Sequence, residues 1–393
     1  MSSAALAYSR SAGRQQRLVL DPVLVAATLG LLLVGLVMVT SASVTIADRV
    51  AGTPLLFLER QLVTAGAGIL LAGLMLVVPL SAWERSAPLL LLAALVLLVL
   101  VLIPGIGHEV NGSRRWIRLG PLNFQPSEPA RVLLLAYVSA YAVRQQEALG
   151  GSWQGFVKPL AVLAVAAALL LLEPDFGAAV VLLGTGALVL LLGGARWRDF
   201  LGVAAIGAVG LGLLAVSSDY RLRRLTNFTD PWADPFNSGF QLTQSLIAIG
   251  RGEWFGVGLG SSVQKLSYLP EAHTDFVFAV LAEELGLVGV FGLLLLLLVM
   301  VLRSLRLARL ASEAGMPFHS LMAAAFAIWF GIQAFINIGV NMGLLPTKGL
   351  TLPLLSYGRS SLLVTLAWVG VLLRIHHEVA ASGRAPMERG AAP

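Results

Sequence analysis

Asp275 is the residue whose type and position most suggest chemistry. It lies in the run Leu269-Pro-Glu-Ala-His-Thr-Asp-Phe-Val-Phe278, where an aromatic segment gives way to a long apolar stretch. A carboxylate at the edge of a bilayer is costly unless it faces a cavity, a partner or water, and a positioned carboxylate can take a proton in catalysis. Asp is also a common N-cap residue that suits the positive end of a helix. The residue type alone leaves both roles open.

Basic residues in two long segments suggest an anionic ligand. Arg114, Arg115, Arg118 and Arg131 lie in segment 105–131, and five more basic residues lie in segment 217–275. Lys and Arg normally favour the cytoplasmic side, but long loops cross regardless of charge, so tolerance is one explanation. The other explanation is that these residues bind an anion at the outer face, because the planar fork of arginine suits bidentate contact with phosphate.

The last third of the chain adds further candidates near the same face. Lys348 lies in Leu345-Pro-Thr-Lys-Gly-Leu350, where a lone interfacial lysine is usually an anchor whose ammonium group extends to the interface. Ser356 lies in the hydroxyl-rich run that leads into the final helix, and backbone amides at a helix start can hold an anion.

Polar residues within apolar runs have a simpler explanation. Glu283 and Glu284 cannot face the same way on one helix, and at least one needs a buried partner. Gln333, Asn337 and Asn341 follow each other at intervals of four residues, so they line one helix face. For both groups we favour helix packing over catalysis or a substrate groove.

Composition identifies the class of protein that positions these residues. The 393 residues are 57% hydrophobic and 12% charged, whereas soluble domains carry about 25% charged residues. There are no cysteines, which excludes disulfides, thiolate nucleophiles and cysteine-based metal centres. The five histidines show no metal-binding spacing, so no metal site is predicted.

Apolar runs of about 20 residues predict an all-α polytopic membrane protein with about ten transmembrane helices. The distribution of Lys and Arg predicts a cytoplasmic N-tail (1–20) and a cytoplasmic C-tail (375–393) on a single transmembrane domain (1–393). A large extracytoplasmic loop (217–275) separates helices 7 and 8 and contains a predicted short helix over Gln241–Ile249. The first apolar run resembles a signal peptide but is too long for one, so we predict an uncleaved helix. The crossings are expected near 22–43, 60–80, 87–104, 127–144, 158–173, 176–194, 198–216, 275–302, 318–343 and 353–374.

Four stretches that span most of the chain form a specific pattern. They are Asn111–Gly120 continuing to Gln125-Pro-Ser-Glu128, Glu173-Pro-Asp-Phe-Gly177, Pro270–Gly286, and Gly343–Gly349 continuing to Ser361. Together they resemble the SEDS family of cell-wall polymerases, the shape, elongation, division and sporulation proteins. The Thr347-Lys-Gly349 triplet and the Glu271–Asp275 run are more similar to division-type than to elongation-type members.

The resemblance implies a glycosyltransferase that polymerises lipid II at the outer face of the bacterial inner (cytoplasmic) membrane, at the division septum. It implies that Asp275 acts as general base. It also implies a substrate site for a lipid pyrophosphate, for which we expect Arg115, Arg118, Lys348, Ser356, Glu173 and His273.

The resemblance further implies partners and ions. The expected partners are lipid II, the class B penicillin-binding transpeptidase FtsI, the division proteins FtsQ, FtsL and FtsB, and membrane lipids. No nucleic-acid partner is expected. No dedicated cofactor is predicted, and any Mg²⁺ or Mn²⁺ would be shared with the substrate pyrophosphate.

Two alternatives from other functional classes remain at this stage. A lipid II flippase or transporter would need a path between the helices, which the polar residues of the ninth span and the intramembrane glutamates could line. A division scaffold would act mainly by seating the transpeptidase.

Overall fold

Ten long helices occupy the ten positions expected for membrane crossings. The protein is represented by a computed structural model that describes residues 18–110, 112–120, 122–216, 230–237, 239–266, 269–346 and 349–389. Within these ranges the long helices are α1 (Pro22–Ala51), α2 (Leu56–Val77), α4 (Ala87–Leu102), α5 (Ser127–Arg144), α7 (Trp153–Leu172), α8 (Phe176–Leu192), α9 (Trp197–Val216), α11 (Val277–Glu313), α12 (Pro317–Asn341) and α13 (Arg359–Arg389). The shorter helices are α3 (Leu80–Arg85), α6 (Gln146–Gly151) and α10 (Phe240–Arg251).

The helices confirm a multi-pass, all-α membrane fold. Six of them, α1, α2, α7, α11, α12 and α13, are long and apolar enough to cross a membrane, and α4 and α8 are apolar but shorter. Asp21 caps the start of α1 by accepting hydrogen bonds from the amides of Val23 (3.0 Å) and Leu24 (3.2 Å). α1 continues unbroken to Ala51 and buries Leu24 and Met38 in the bundle.

A small antiparallel sheet, which the sequence did not predict, joins α4 to α5. Its strands β1 (Gly107–Val110), β2 (Ser113–Leu119) and β3 (Leu122–Phe124) pair in chain order. Gly112 and Gly120 have φ of 75° and 59°, values that glycine adopts at little cost. The two glycines lie where the chain reverses between neighbouring strands, which places part of β2 at the edge of the site described below.

Residues 230–237, 239–266 and 269–275 of the predicted outer segment are described by the structure, and part of them packs against a break in α11, whereas residues 217–229, 238, 267 and 268 lie outside the described ranges. The short helix predicted over Gln241–Ile249 is present as α10. Gly286 has φ 62° and ψ −163°, which interrupts the helix. The freed backbone groups bond to the outer segment. The amides of Val257 and Gly258 donate to the carbonyls of Glu283 (2.9 Å) and Glu284 (3.1 Å), and further bonds run the opposite way.

The last helix differs from its predicted span of 353–374. It begins at Arg359 and continues through the predicted tail to Arg389. The apolar pattern ends near residue 374, but polar contacts continue the helix: Glu378 accepts hydrogen bonds from Arg374 (2.6 Å) and the amide of Leu80 (3.2 Å). Charged residues therefore lower the hydropathy beyond residue 374, although the helix continues.

Candidate active site

A polar cavity of about 450 Å³ lies at one end of the bundle, where the sheet meets the turns that follow α7 and α12 and precede α11 and α13. It contains three of the predicted catalytic and substrate-site residues, Asp275, Arg115 and His273, together with a set of hydroxyls and charged groups. The lining residues that bear polar side chains are Ser113, Arg115, Trp116, Asn123, Gln125, Glu128, Arg131, Asp175, Glu271, His273, Thr274, Asp275, Thr351, Tyr357, Arg359, Ser360 and Ser361.

Asp275 is held by α12 through its backbone, which leaves its carboxylate at the cavity. The side-chain amides of Asn337 (2.9 Å) and Asn341 (3.0 Å) both donate to the Asp275 carbonyl. The N-cap of α11 is Phe276, so Asp275 does not occupy the capping position. In the described part of the chain, the Asp275 carboxylate accepts no hydrogen bond. The helix-cap explanation of this residue is therefore excluded.

The environment of Asp275 favours a carboxyl group that exchanges protons near neutral pH. Burial raises its pKa from an ordinary value of 3.8 to about 7, the negative charge of Glu271 adds to this increase, and Arg115 opposes it. A Cβ atom on Gly349 would lie 3.2 Å from Asp275 Oδ2, so glycine lets the following segment pass close to the carboxylate. A base with such a pKa is well matched to proton transfer at physiological pH.

Arg115 joins the sheet to the tight turn between α7 and α8. Its Nε donates to the Glu173 carbonyl at 3.0 Å, and its terminal nitrogen donates to the Pro174 carbonyl. Asp175 begins α8 as its N-cap, accepting from the amide of Ala178 at 3.1 Å. The Glu173-Pro-Asp175 turn is therefore a real boundary between the helices expected near 158–173 and 176–194.

Glu173 is fully buried beside this turn and does not line the cavity. In the described part of the chain neither of its carboxylate oxygens has a hydrogen-bond partner. Burial raises its pKa from 4.5 to about 8, the charge of Asp175 adds to this, and Arg115 opposes it. Glu173 is therefore expected to be mostly protonated at neutral pH.

His273 lines the cavity within an aromatic cluster. Its ring lies 4.7 Å from that of Phe57 and 5.6 Å from that of Tyr357, and its carbonyl accepts from the Tyr357 amide at 2.8 Å. Burial lowers the pKa of the ring below its ordinary value of 6.5, which favours neutral imidazole, although Glu271 acts in the opposite direction. A neutral ring suits hydrogen bonding to an uncharged part of a ligand.

Two further predicted site residues, Arg118 and Ser356, lie outside the cavity lining. Arg118 projects from the exposed side of β2, with its guanidinium 3.3 Å from His108 Nε2. The Ser356 hydroxyl accepts from the Leu352 amide at 2.8 Å, so it stabilises the turn before α13 and does not line the cavity. Lys348 lies outside the described residues.

A buried ion pair in the cavity lining was not predicted from the sequence. Arg131 pairs with Glu128 at 3.1 Å, donates to Gln333 at 2.6 Å and lies over the Trp329 ring. The signal that could have found it is the acid and base three residues apart at the start of an apolar helix. Gln333 also donates to the Thr351 carbonyl at 3.0 Å, so the polar face of α12 connects helices and positions the site.

Glu283 and Glu284 lie away from the cavity lining and fasten the outer segment to α11. Glu283 accepts from Arg251 at 3.2 Å, and Glu284 pairs with Lys265 at 2.8 Å. The Ser41 hydroxyl of α1 also donates to Glu284, at 2.7 Å. Both glutamates therefore have partners, and their contacts support the packing interpretation.

The described residues contain no group of three or more His, Cys, Asp or Glu side chains able to hold a metal ion. Among the acidic residues that line the cavity are Glu271 and Asp275. Glu271 and Asp275 share one turn, in which the Asp275 amide donates to the Glu271 carbonyl at 3.1 Å. This arrangement fits an ion that takes most of its ligands from phosphate and water.

The sequence is similar to known proteins along nearly its whole length. It is 53% identical over 389 residues to the probable peptidoglycan glycosyltransferase FtsW of Thioalkalivibrio sulfidiphilus, covering 98% of this chain and 97% of that protein. It is 54% identical to the protein of the same description from Nitrosococcus halophilus, covering 91% and 92%.

Solved structures agree with the sequence relatives. A chain from a peptidoglycan synthase complex that coordinates polymerization and crosslinking matches with a TM-score of 0.75 at 33% identity, covering 92% of this chain and 99% of that chain. The rod shape determining protein RodA of Thermus thermophilus matches with a TM-score of 0.67 at 34% identity, covering 92% and 98%. The model of the FtsW/RodA/SpoVE family, described as cell cycle protein, matches residues 22–381. The chain therefore belongs to the FtsW/RodA/SpoVE family, which confirms the resemblance to the SEDS proteins.

Proposed function

We propose that this protein is a peptidoglycan glycosyltransferase that polymerises lipid II at the outer face of the bacterial cytoplasmic membrane during septal wall synthesis. The observation that carries the proposal is the carboxylate of Asp275 in a polar cavity beside Arg115, with its pKa raised to about 7. The names of the sequence relatives support the same activity.

The proposed reaction is a single displacement. Asp275 takes the proton from a hydroxyl of the acceptor sugar while that oxygen attacks the anomeric carbon of the donor. A new C–O bond forms as the bond to the pyrophosphate oxygen breaks, and undecaprenyl pyrophosphate leaves with the electron pair. Attack opposite the leaving group inverts the anomeric centre. A positioned general base contributes roughly 10²- to 10⁴-fold in rate.

The leaving group develops negative charge that cations must stabilise. Arg115 lines the cavity and is the strongest candidate. We propose Lys348 and Arg118, which lies on the same strand as Arg115 but outside the lining, as further contributors. His273 is proposed to contact the substrate from the cavity lining, whereas Glu173 and Ser356, which lie outside the lining, are proposed to shape the site through the turns beside it. Mg²⁺ or Mn²⁺ shared with the pyrophosphate would supply additional positive charge there.

We propose that the protein acts with the class B transpeptidase FtsI and with FtsQ, FtsL and FtsB in the inner membrane at the septum. The similarity to a chain of a peptidoglycan synthase complex supports a transpeptidase partner. A scaffold role is compatible with catalysis, and it predicts that an inactive variant still assembles with the transpeptidase.

The test is polymerisation of lipid II by the purified full chain carrying Asp275→Ala. We expect loss of at least about 10²-fold in rate with an unchanged elution volume and unfolding temperature. Glu59→Ala is the matched control, because Glu59 is an exposed acid at the start of α2 outside the cavity. Retained polymerisation by Asp275→Ala would remove Asp275 from the mechanism.

A second arm separates the enzyme from the flippase. Labelled lipid II is supplied on the outside of proteoliposomes, and both glycan product and label transfer across the bilayer are measured. Glycan formation without transfer is the result expected of the enzyme. Transfer without glycan formation by the wild-type protein would favour the flippase.

A further inference from the structure

A second polar cavity, of about 360 Å³, lies at the opposite end of the helices from the candidate active site. It is formed where α4 begins, α5 ends and α7 begins, which the distribution of basic residues assigns to the cytoplasmic face. Its lining consists of Ala87, Tyr137, Ala140, Tyr141, Arg144, Gln145 and Lys158. None of these residues takes part in the proposed reaction.

The cavity carries positive charge without a matching carboxylate. In the described part of the chain, neither Arg144 nor Lys158 forms an ion pair, whereas Arg303 pairs with Asp21 at 2.6 Å and Arg374 with Glu378 at 2.6 Å at the same end of the bundle. Arg144 donates to the carbonyl of Glu84, which fixes its direction and leaves other N–H donors available. Two uncompensated cations at one cavity favour an anionic ligand.

The shape of the cavity follows from a proline in α7. Pro159 has no amide hydrogen, so it cannot donate to the carbonyl of Gly155 four residues earlier. That carbonyl instead accepts the Tyr141 hydroxyl at 3.0 Å, which ties α5 to α7 beside Lys158. Tyr137 lies one turn deeper along α5, with its ring 6.4 Å from that of Tyr141. The cavity is thus lined by both hydroxyl groups and cations.

The position of the cavity points to a membrane lipid. Tyr137 is seven residues before the end of α5, which is about 10 Å along the helix. Leu89 on α4 and Trp153 on α7 are exposed, by 67% and 59%, and Trp is typical of the bilayer interface. A headgroup at this depth would keep its acyl chains beside apolar helix surfaces. Basic pockets between transmembrane helices on the cytoplasmic side are known to bind anionic headgroups.

We propose that this cavity binds the phosphate of an anionic phospholipid from the cytoplasmic leaflet. Arg144 and Lys158 contact the phosphate oxygens, and the Tyr137 hydroxyl hydrogen-bonds to the headgroup. The buried Ala87 and Ala140 leave the space that the headgroup fills.

The test is native mass spectrometry of the full chain in detergent, titrated with phosphatidylglycerol or phosphatidylcholine. We expect the protein to retain phosphatidylglycerol preferentially. Lys158→Gln should weaken retention about fivefold, and Lys158→Gln combined with Arg144→Gln about 25-fold. Lys158→Arg should retain the lipid like the wild type because the charge is kept.

Arg306→Gln is the matched control, since Arg306 is an exposed cation on α11 outside the cavity, and its retention should equal that of the wild type. Arg144 and Lys158 are exposed, so both variants should keep the wild-type unfolding temperature. Equal retention of the two lipids, or unchanged retention in the double variant, would overturn the proposal. Displacement of the lipid by millimolar inorganic phosphate would also overturn it, because the site would then bind free phosphate.

Discussion

The pH dependence of polymerisation follows from the surroundings of Asp275. Burial and the charge of Glu271 raise its pKa to about 7, while Arg115 acts in the opposite direction. A general base works only when it is deprotonated, so the rate should rise with pH. About half of the Asp275 carboxyls are ionised at pH 7 and about a tenth at pH 6, and below that the rate should fall about tenfold per pH unit.

The rise of the rate with pH forms the acid limb of the pH–rate profile. Two variants of residues near Asp275 should shift this limb in opposite directions along the pH axis. Glu271→Gln removes a negative charge, so the pKa of Asp275 should fall and the limb should shift to lower pH. Arg115→Gln removes a positive charge, so the limb should shift to higher pH. Because Arg115 is also proposed to bind the substrate, the midpoint of the limb is the informative quantity, and the absolute rate is not.

The assay is the initial rate of glycan formation from saturating lipid II by the purified full chain, measured between about pH 5 and about pH 9, a range that brackets the expected pKa. Glu59→Gln serves as control and should leave the midpoint unchanged. An apparent pKa near 4 in the wild type, as for an ordinary Asp, would refute the reasoning. Shifts of both neighbouring variants in the same direction would refute it as well.

Three further predictions concern the elements that position the site. Asn341→Ala removes a hydrogen bond to the backbone of the proposed base and should lower kcat by about tenfold to a hundredfold at unchanged KM, measured by steady-state kinetics. Gly286→Ala would place a Cβ 2.3 Å from a backbone nitrogen of the outer segment, so folded protein should be lost in gel filtration. Lys265→Met leaves a buried carboxylate without its cation and should lower the free energy of unfolding by about 3–5 kcal/mol. The matched change at the exposed Arg309 should cost at most about 1 kcal/mol, and equal losses would contradict the buried-pair explanation.

The architecture was predictable because its main signals are local in sequence. A bilayer demands apolar runs of a set length, so ten crossings could be placed before any contact was known. The sheet of β1–β3 and the break at Gly286 were not predicted. Both depend on hydrogen bonds between segments. The bonds around the break at Gly286 connect α11 to residues about thirty positions earlier in the chain.

The same distinction between local sequence signals and contacts of distant segments applies to the candidate active site. The sequence by itself determined that the protein crosses the membrane many times, and that Asp275 and basic residues at one face were candidates for chemistry on an anionic lipid. Only the tertiary structure decided that Asp275 and Arg115 line one cavity, while Arg118 and Ser356 do not. The physical reason is that residue type and spacing specify a carboxylate or a guanidinium, whereas its role depends on burial and on charges from distant segments. Burial raises the pKa of Asp275, and the charge of Arg115 lowers it. Arg115 is held at the cavity because it connects the sheet to the α7–α8 turn.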